Sequence, residues 1–289
     1  MNDKEQMSLF DLTPSEVPLT ELPQADRVAE TLADKKTARS SKNSSPAVST
    51  SVPANQQFAN LDALRDAACN CQKCPLAPTR TNVVVERGDR KAKILVIGEA
   101  PGEQEDLSGL PFVGKSGQLL DKILESVGLD TNKDVYICNT VKCRPPNNRV
   151  PTEVETNTCK PYLLEQIRLV DPKIILLTGA TSLKSILGVK LGITKVRGQW
   201  YEWEGRLVMP IFHPSYLLRN QSREQGSPKW LTWQDAKAIK AKYLEIIAAE
   251  SVTETVLSAQ TQIEDNFESV VPLPSQNSSL VSIEEDEEF

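Results

Sequence analysis

Two sets of residues in this chain have types and spacings suited to chemistry: a group of cysteines, and a group of polar and aromatic residues at the ends of apolar runs. Cys71-x2-Cys74 and Cys143-x15-Cys159 supply two thiolates close in sequence and two from elsewhere. Four sulfurs in tetrahedral disposition suit structural zinc or an iron–sulfur cluster. Pro75, directly after Cys74, favours iron–sulfur, because proline often follows a cluster ligand. Spacing alone leaves zinc open, and Cys69 is an alternative to Cys71. Cys138 would then be a spare thiol.

The second set begins with Glu99, which follows the apolar run Lys93–Gly98 and is either a turn-forming carboxylate or a group that orients water and stabilises a cationic transition state. Glu105 and Asp106 form a further acidic pair downstream. Phe112, between Pro111 and Val113, offers a stacking face to a planar ring or else plugs a sheet edge. Asn139 carries both an amide donor and a carbonyl acceptor, as reading an imide edge requires. His213 is the one histidine. A single imidazole rules out a histidine pair and leaves a solitary donor or acid.

These residues must be positioned by regular elements. A short helix is expected over Phe58–Ala67, strands over Lys93–Gly98, Asp134–Asn139 and Lys173–Thr178, and helices over Ser116–Val127, from Pro151-Thr152-Glu153 toward Val170, and over Ala180–Leu187. Segments Thr194–Trp203 and Arg206–Phe212 follow, then the loop His213–Arg219 and a closing helix, Trp230–Ala248. The alternation predicts a three-layer α/β/α domain around a mostly parallel four-stranded sheet. In such sheets ligands gather at the carboxyl ends of strands, which selects Gly98-Glu99, Asn139, Gly179 and His213. The stretch Glu99–Gly114 is expected to be a long loop. Within it and just beyond, Gly109-x4-Gly114-Lys115-Ser116 matches the bare phosphate-loop pattern, but Leu110-Pro-Phe-Val113 is bulky where phosphate-cradling amides need small residues.

Residues 1–57 and 250–289 are polar and lack apolar periodicity, so the foldable part is expected at 58–249 between disordered tails. The net charge of −6 conceals an asymmetry. Residues 61–250 hold 27 Lys or Arg against 22 Asp or Glu, a balance of +5, and the remaining residues 6 against 17, a balance of −11. A mildly basic core permits a nucleic-acid partner without demanding one. The sequence has no long apolar run of membrane-spanning type and no secretory leader pattern, so an intracellular, non-membrane protein is expected. In that compartment C-x-x-C spacing favours metal over disulfide.

Four motifs taken in order, Gly-Glu-Ala-Pro-Gly-x-x-Glu-Asp from Gly98, Gly-x-Pro-Phe-Val-Gly-x-x-Gly from Gly109, Asn-x-Val-Lys-Cys-Arg-Pro-Pro-x-Asn-Arg from Asn139 and His-Pro-Ser-Tyr-Leu-Leu-Arg from His213, resemble the family 4 uracil-DNA glycosylases. The resemblance covers roughly residues 60–248. It implies a [4Fe-4S] cluster on Cys71, Cys74, Cys143 and Cys159 that is structural, and uracil-containing DNA, single- or double-stranded, as substrate for a monomer. It implies that Glu99 places water and supports the sugar cation, that Phe112 stacks on uracil in a pocket bordered by Gly98 and Ala100, and that Asn139 and His213 bind its polar edge. Glu105 resembles a second pocket carboxylate. Ser215 to Arg219 correspond to a loop approaching DNA, with Leu217 or Leu218 as a wedge. Arg144, Arg149, Lys195, Arg197 and Arg219 are the expected phosphate contacts. Related proteins that capture DNA covalently carry a histidine-containing insertion near the asparagine motif. Residues 139–149 have no histidine, which favours turnover. A non-catalytic cluster-bearing binding module and a nucleotide-hydrolysing enzyme are the alternatives, and the tails are candidate sites for protein partners.

Overall fold

The computed structural model of the protein describes residues 57–189 and 191–270. Residues 1–56 and 271–289, which carry most of the two expected disordered tails and their candidate sites for protein partners, lie outside the described residues. The chain divides into two units, residues 1–243 and 244–289. The first holds the sheet and all the residues of chemical interest; the second, over its described residues, is helical.

Six strands form one sheet in the order β1-β3-β2-β4-β6-β5. The four central strands, β2 (Ile94–Gly98), β3 (Val135–Asn139), β4 (Ile174–Thr178) and β6 (Arg206–Ile211), run parallel. They are the expected mostly parallel core. Two short antiparallel edges extend it, β1 (Arg87–Gly88) against β3 and β5 (Tyr201–Trp203) against β6. The β5–β6 hairpin turns on Glu204-Gly205, both at positive φ (49° and 72°), the conformation a two-residue hairpin turn needs to follow the strand twist.

Every residue of β2, β3 and β4 is buried, because helices cover both faces. On one face Leu61 of α1 (Leu61–Cys69) and Leu163, Ile167 and Val170 of α4 (Glu153–Val170) pack with Leu95, Ile97 and Tyr136. Leu183 and Ile186 of α5 (Ala180–Leu187) join them. On the other, Leu120 and Leu124 of α3 (Lys115–Glu125) face Ile211, Phe212, Ala236 and Ile239. Each large apolar side chain so buried contributes about 1.5–3 kcal/mol.

Four segments differ from the sequence reading. The loop after β2 contains a helix, α2 (Glu103–Ser108), because Gly102 is its N-cap with its amide accepted by the Glu105 carboxylate, and Glu103, Glu105 and Asp106 sit in its first turn. The loop after His213 is likewise helical, α7 (Pro214–Arg219), with Pro214 at its first position. The short helix α6 (Ile193–Val196) precedes β5, and α8 runs Pro228–Val270, past the boundary expected at residue 249.

Candidate active site

The carboxyl ends of β2, β3 and β6 open onto a cavity of about 480 Å³ lined by Glu99, Ala100, Phe112, Asn139, His213 and Arg219, among others. This volume suits a small planar ligand. Asn139, the last residue of β3, is 2% exposed and lies opposite Gly98 in register. A Cβ on Gly98 would stand 2.2 Å from Asn139 Oδ1 and 2.6 Å from the Phe112 ring. Gly98 is therefore the floor on which the amide and the ring meet.

Phe112 is buried and adopts φ +55°, an uncommon conformation for an aromatic residue. Its backbone is fixed from three directions. Arg87 donates to the carbonyls of Pro111 (2.8 Å) and Phe112 (3.3 Å) and pairs with Asp121 at 2.6 Å. Gly117 lies so close that a Cβ there would be 1.7 Å from the Phe112 carbonyl oxygen. The Glu105 carboxylate accepts the amides of Gly102 (3.1 Å), Val113 (3.1 Å) and Gly114 (2.8 Å). Glu105 is thus engaged in holding the loop, and Asp106 is buried beneath it, accepting the amides of Thr81 and Asn82. The phosphate-loop pattern has a different use here: two of its amides already bind a carboxylate where a phosphate would sit.

The Phe112 and His213 rings are 6.0 Å apart and inclined by 31°. His213 Nδ1 accepts the Ser215 amide at 3.1 Å and lies 2.8 Å from the Ser215 hydroxyl. An accepting Nδ1 assigns the ring proton to Nε2. Burial pushes the imidazole pKa down to about 4, reinforced by the Arg219 charge and opposed by Glu105, so the ring is a neutral donor near neutrality. Glu99 Oε2 accepts the hydroxyl of Thr181, at the start of α5. Arg87 and Thr181 went unnoticed in the sequence, since each acts through contacts 24 to 82 residues distant.

The groups expected to meet DNA separate into two classes. Arg219, Ser215 and Arg149 line the cavity, and Leu218 is 37% exposed beside them in α7. Arg149 also forms a bidentate pair with Glu155 (2.7 and 2.8 Å), which holds that carboxyl down at about 2. Arg144 bonds Asn148 at 2.8 Å, and Lys195 is exposed on α6, off the cavity wall. Arg197 is half-buried, pairs with Asp235 and lies over the Phe212 ring, so its charge is already compensated, and Leu217 is 1% exposed in the core.

Cys71, Cys74, Cys143 and Cys159 line a second, smaller cavity together with Arg80, Lys142 and Tyr162. Cys69 and Cys138 do not. Arg80 donates to Cys143 Sγ at 3.4 Å. Burial pushes the thiols of Cys74, Cys143 and Cys159 up, the last to about 12, so they need a metal or nearby cations to ionise. Among the described residues no three His, Cys, Asp or Glu side chains converge as a site for a single ion.

Residues 85–237, more than half the chain, match the family model described as the uracil DNA glycosylase superfamily. The chain is 49% identical over 166 residues to a type-4 uracil-DNA glycosylase of Thermotoga maritima, covering 57% of this chain and 86% of that protein. It is 44% identical over 169 residues to the type-4 protein of Saccharolobus solfataricus, covering 56% and 78%. Against a type-5 uracil-DNA glycosylase of Pyrobaculum aerophilum identity falls to 30% over 187 residues, covering 53% and 82%. By sequence and by the placement of its strand-end residues, the chain belongs to the uracil DNA glycosylase superfamily and, within it, to the type-4 family.

Proposed function

We propose that this protein hydrolyses the N-glycosidic bond of deoxyuridine in DNA, releasing uracil and leaving an abasic site. The observation that carries the reading is the convergence of Phe112, Asn139 and a neutral His213 on one cavity whose rim bears Glu99. A base must leave the stack before any of these can reach it, which costs a few kcal/mol. Phe112 then stacks on the ring, and Asn139 pairs with its imide edge. His213 Nε2–H faces the oxygen on which negative charge develops as the bond breaks. The carboxylate of Glu99 stabilises the cationic sugar and orients the water that attacks it. Glu105 acts through the Phe112 loop. Arg219, Arg149, Arg144 and Lys195 meet phosphates, and Leu218 fills the space left by the extruded base.

The four cysteines are read as ligands of a [4Fe-4S] cluster. Four cysteine sulfurs lining one cavity suit such a cluster. When bound, the cluster would supply a cross-link between the Cys71–Cys74 loop after α1, the Cys143 loop and α4, and no reacting atom. The reading includes turnover, since residues 139–149 bring no histidine to the sugar. It also includes an intracellular monomer working on single- or double-stranded DNA, in a domain of residues 58–249. Among the described residues no helix is long and apolar enough to cross a membrane.

The test is release of free uracil from uracil-containing DNA in the absence of magnesium. No abasic product at high enzyme with the iron retained would sink the proposal in favour of a binding module, and magnesium-dependent phosphate release would indicate a nucleotide hydrolase.

A further inference from the structure

Lys142 is a buried cation with an unusual set of partners. It is 2% exposed, and its Nζ donates to the backbone carbonyl of Asn139 at 2.6 Å. Among the described residues no carboxylate pairs with it. Its charge also bears on the buried thiols of Cys138 and Cys159. An ammonium taken out of water costs several kcal/mol unless a negative charge compensates it. A carbonyl dipole and a neutral thiol do not suffice. The group of four cysteines, whose cavity wall Lys142 shares with Arg80, becomes a source of negative charge when its thiolates hold a metal.

The residues fit together in charge as well as position. A four-iron core in its oxidised resting state is a dication, and with four thiolates the assembly is a dianion. Lys142 and Arg80 are the two cations on that cavity wall. Their arrangement differs in one respect. Arg80 ends on Cys143 Sγ and the Cys69 carbonyl, both on the cysteine side, whereas Lys142 reaches the strand end that presents Asn139 to the other cavity.

We propose that Lys142 is a positioning residue that couples the cysteine site to the base pocket: the negative thiolates hold its ammonium in the interior, and the ammonium holds the Asn139 carbonyl and so the aim of the Asn139 amide. The proposal rests on the reading of Asn139 and of the four cysteines given above. It accounts for a buried lysine that has no carboxylate partner among the described residues. It also gives the cysteine site an influence on base recognition beyond cross-linking.

The test compares Lys142→Met with Arg80→Met and wild type, using iron content, the reduction potential of the bound cluster and inhibition by free uracil. Wild-type iron content and uracil release check the underlying reading separately. Removing a positive charge beside the cluster should move the potential negative in both variants. Only Lys142→Met should weaken uracil inhibition, by about tenfold, the scale of one hydrogen-bonded contact. Wild-type uracil inhibition in an iron-replete Lys142→Met protein overturns the proposal, and so does equal weakening in Arg80→Met. If Lys142→Met does not retain iron, Lys142→Arg keeps the charge but not the single contact. A near-native potential with weakened uracil inhibition then supports the coupling, and native inhibition overturns it.

Discussion

The Thr181 hydroxyl donates to Glu99 Oε2 across the gap between the ends of β4 and β2. The carboxylate that faces the cavity is thereby anchored to the first turn of α5. One oxygen is fixed, and in the proposed reaction the other serves water or the sugar. Thr181→Val should lower kcat by about tenfold, the cost of one oriented hydrogen bond, with little change in KM. Thr181→Ser should restore it. Single-turnover uracil release on both variants checks this, and equal activity in the valine variant would show the contact to be incidental.

His213 sets the pH behaviour. Its folded-state pKa lies near 4, below the ordinary 6.5, so the ring stays neutral in the protein when the unfolded chain would already be protonated. Stability from this group is therefore complete above about pH 6.5 and is lost as pH falls toward 4. The kcat profile should show no histidine limb between pH 5.5 and 8. A titration centred near 6.5 that disappears in His213→Asn would contradict the assignment. His213→Ala should cost on the order of 10² to 10³ in rate.

Gly98 has no room for a side chain. Gly98→Ala places a methyl within 2.2 Å of Asn139 Oδ1 and 2.6 Å of Phe112, so ring and amide must part. Free-uracil inhibition should fall more than tenfold while the thermal midpoint drops by a few degrees. An unchanged inhibition constant would mean that the base sits elsewhere.

The arginines should divide by the salt dependence of DNA binding. Each phosphate contact contributes about 0.9 to the slope of log K against log salt. Arg219→Gln should reduce that slope by roughly one contact. Arg197→Gln should leave the slope unchanged and lower stability instead, because it strands Asp235, which is 4% exposed. Binding titrations at several salt concentrations, with melting curves, separate the two.

Glu155 adds an acid sensitivity of its own. Its pKa is held down at about 2 by Arg149, and its stabilising contribution is complete above the ordinary value of 4.5 and lost as pH falls toward 2. Glu155→Gln should remove that part of the acid transition. Urea midpoints between pH 5 and 2.5 check it.

Much of this molecule was legible in the chain itself. The apolar runs Ile94–Gly98, Val135–Asn139 and Ile174–Thr178 could only be strands covered on both faces, and their carboxyl ends located Glu99 and Asn139. The motif residues followed from type and order. What the sequence left undetermined were choices made by long-range contact. Arg197 and Arg219 are alike as letters, yet Asp235 neutralises one and the cavity claims the other. Leu217 and Leu218 are neighbours on α7, and the helix turn sends one into the core and one toward solvent. Glu105 lines the cavity, and only the tertiary structure brings three backbone amides onto its carboxylate. Periodicity and composition report local geometry and burial on average. Which partner meets a given charge depends on residues tens of positions away, and only the tertiary structure brings them together.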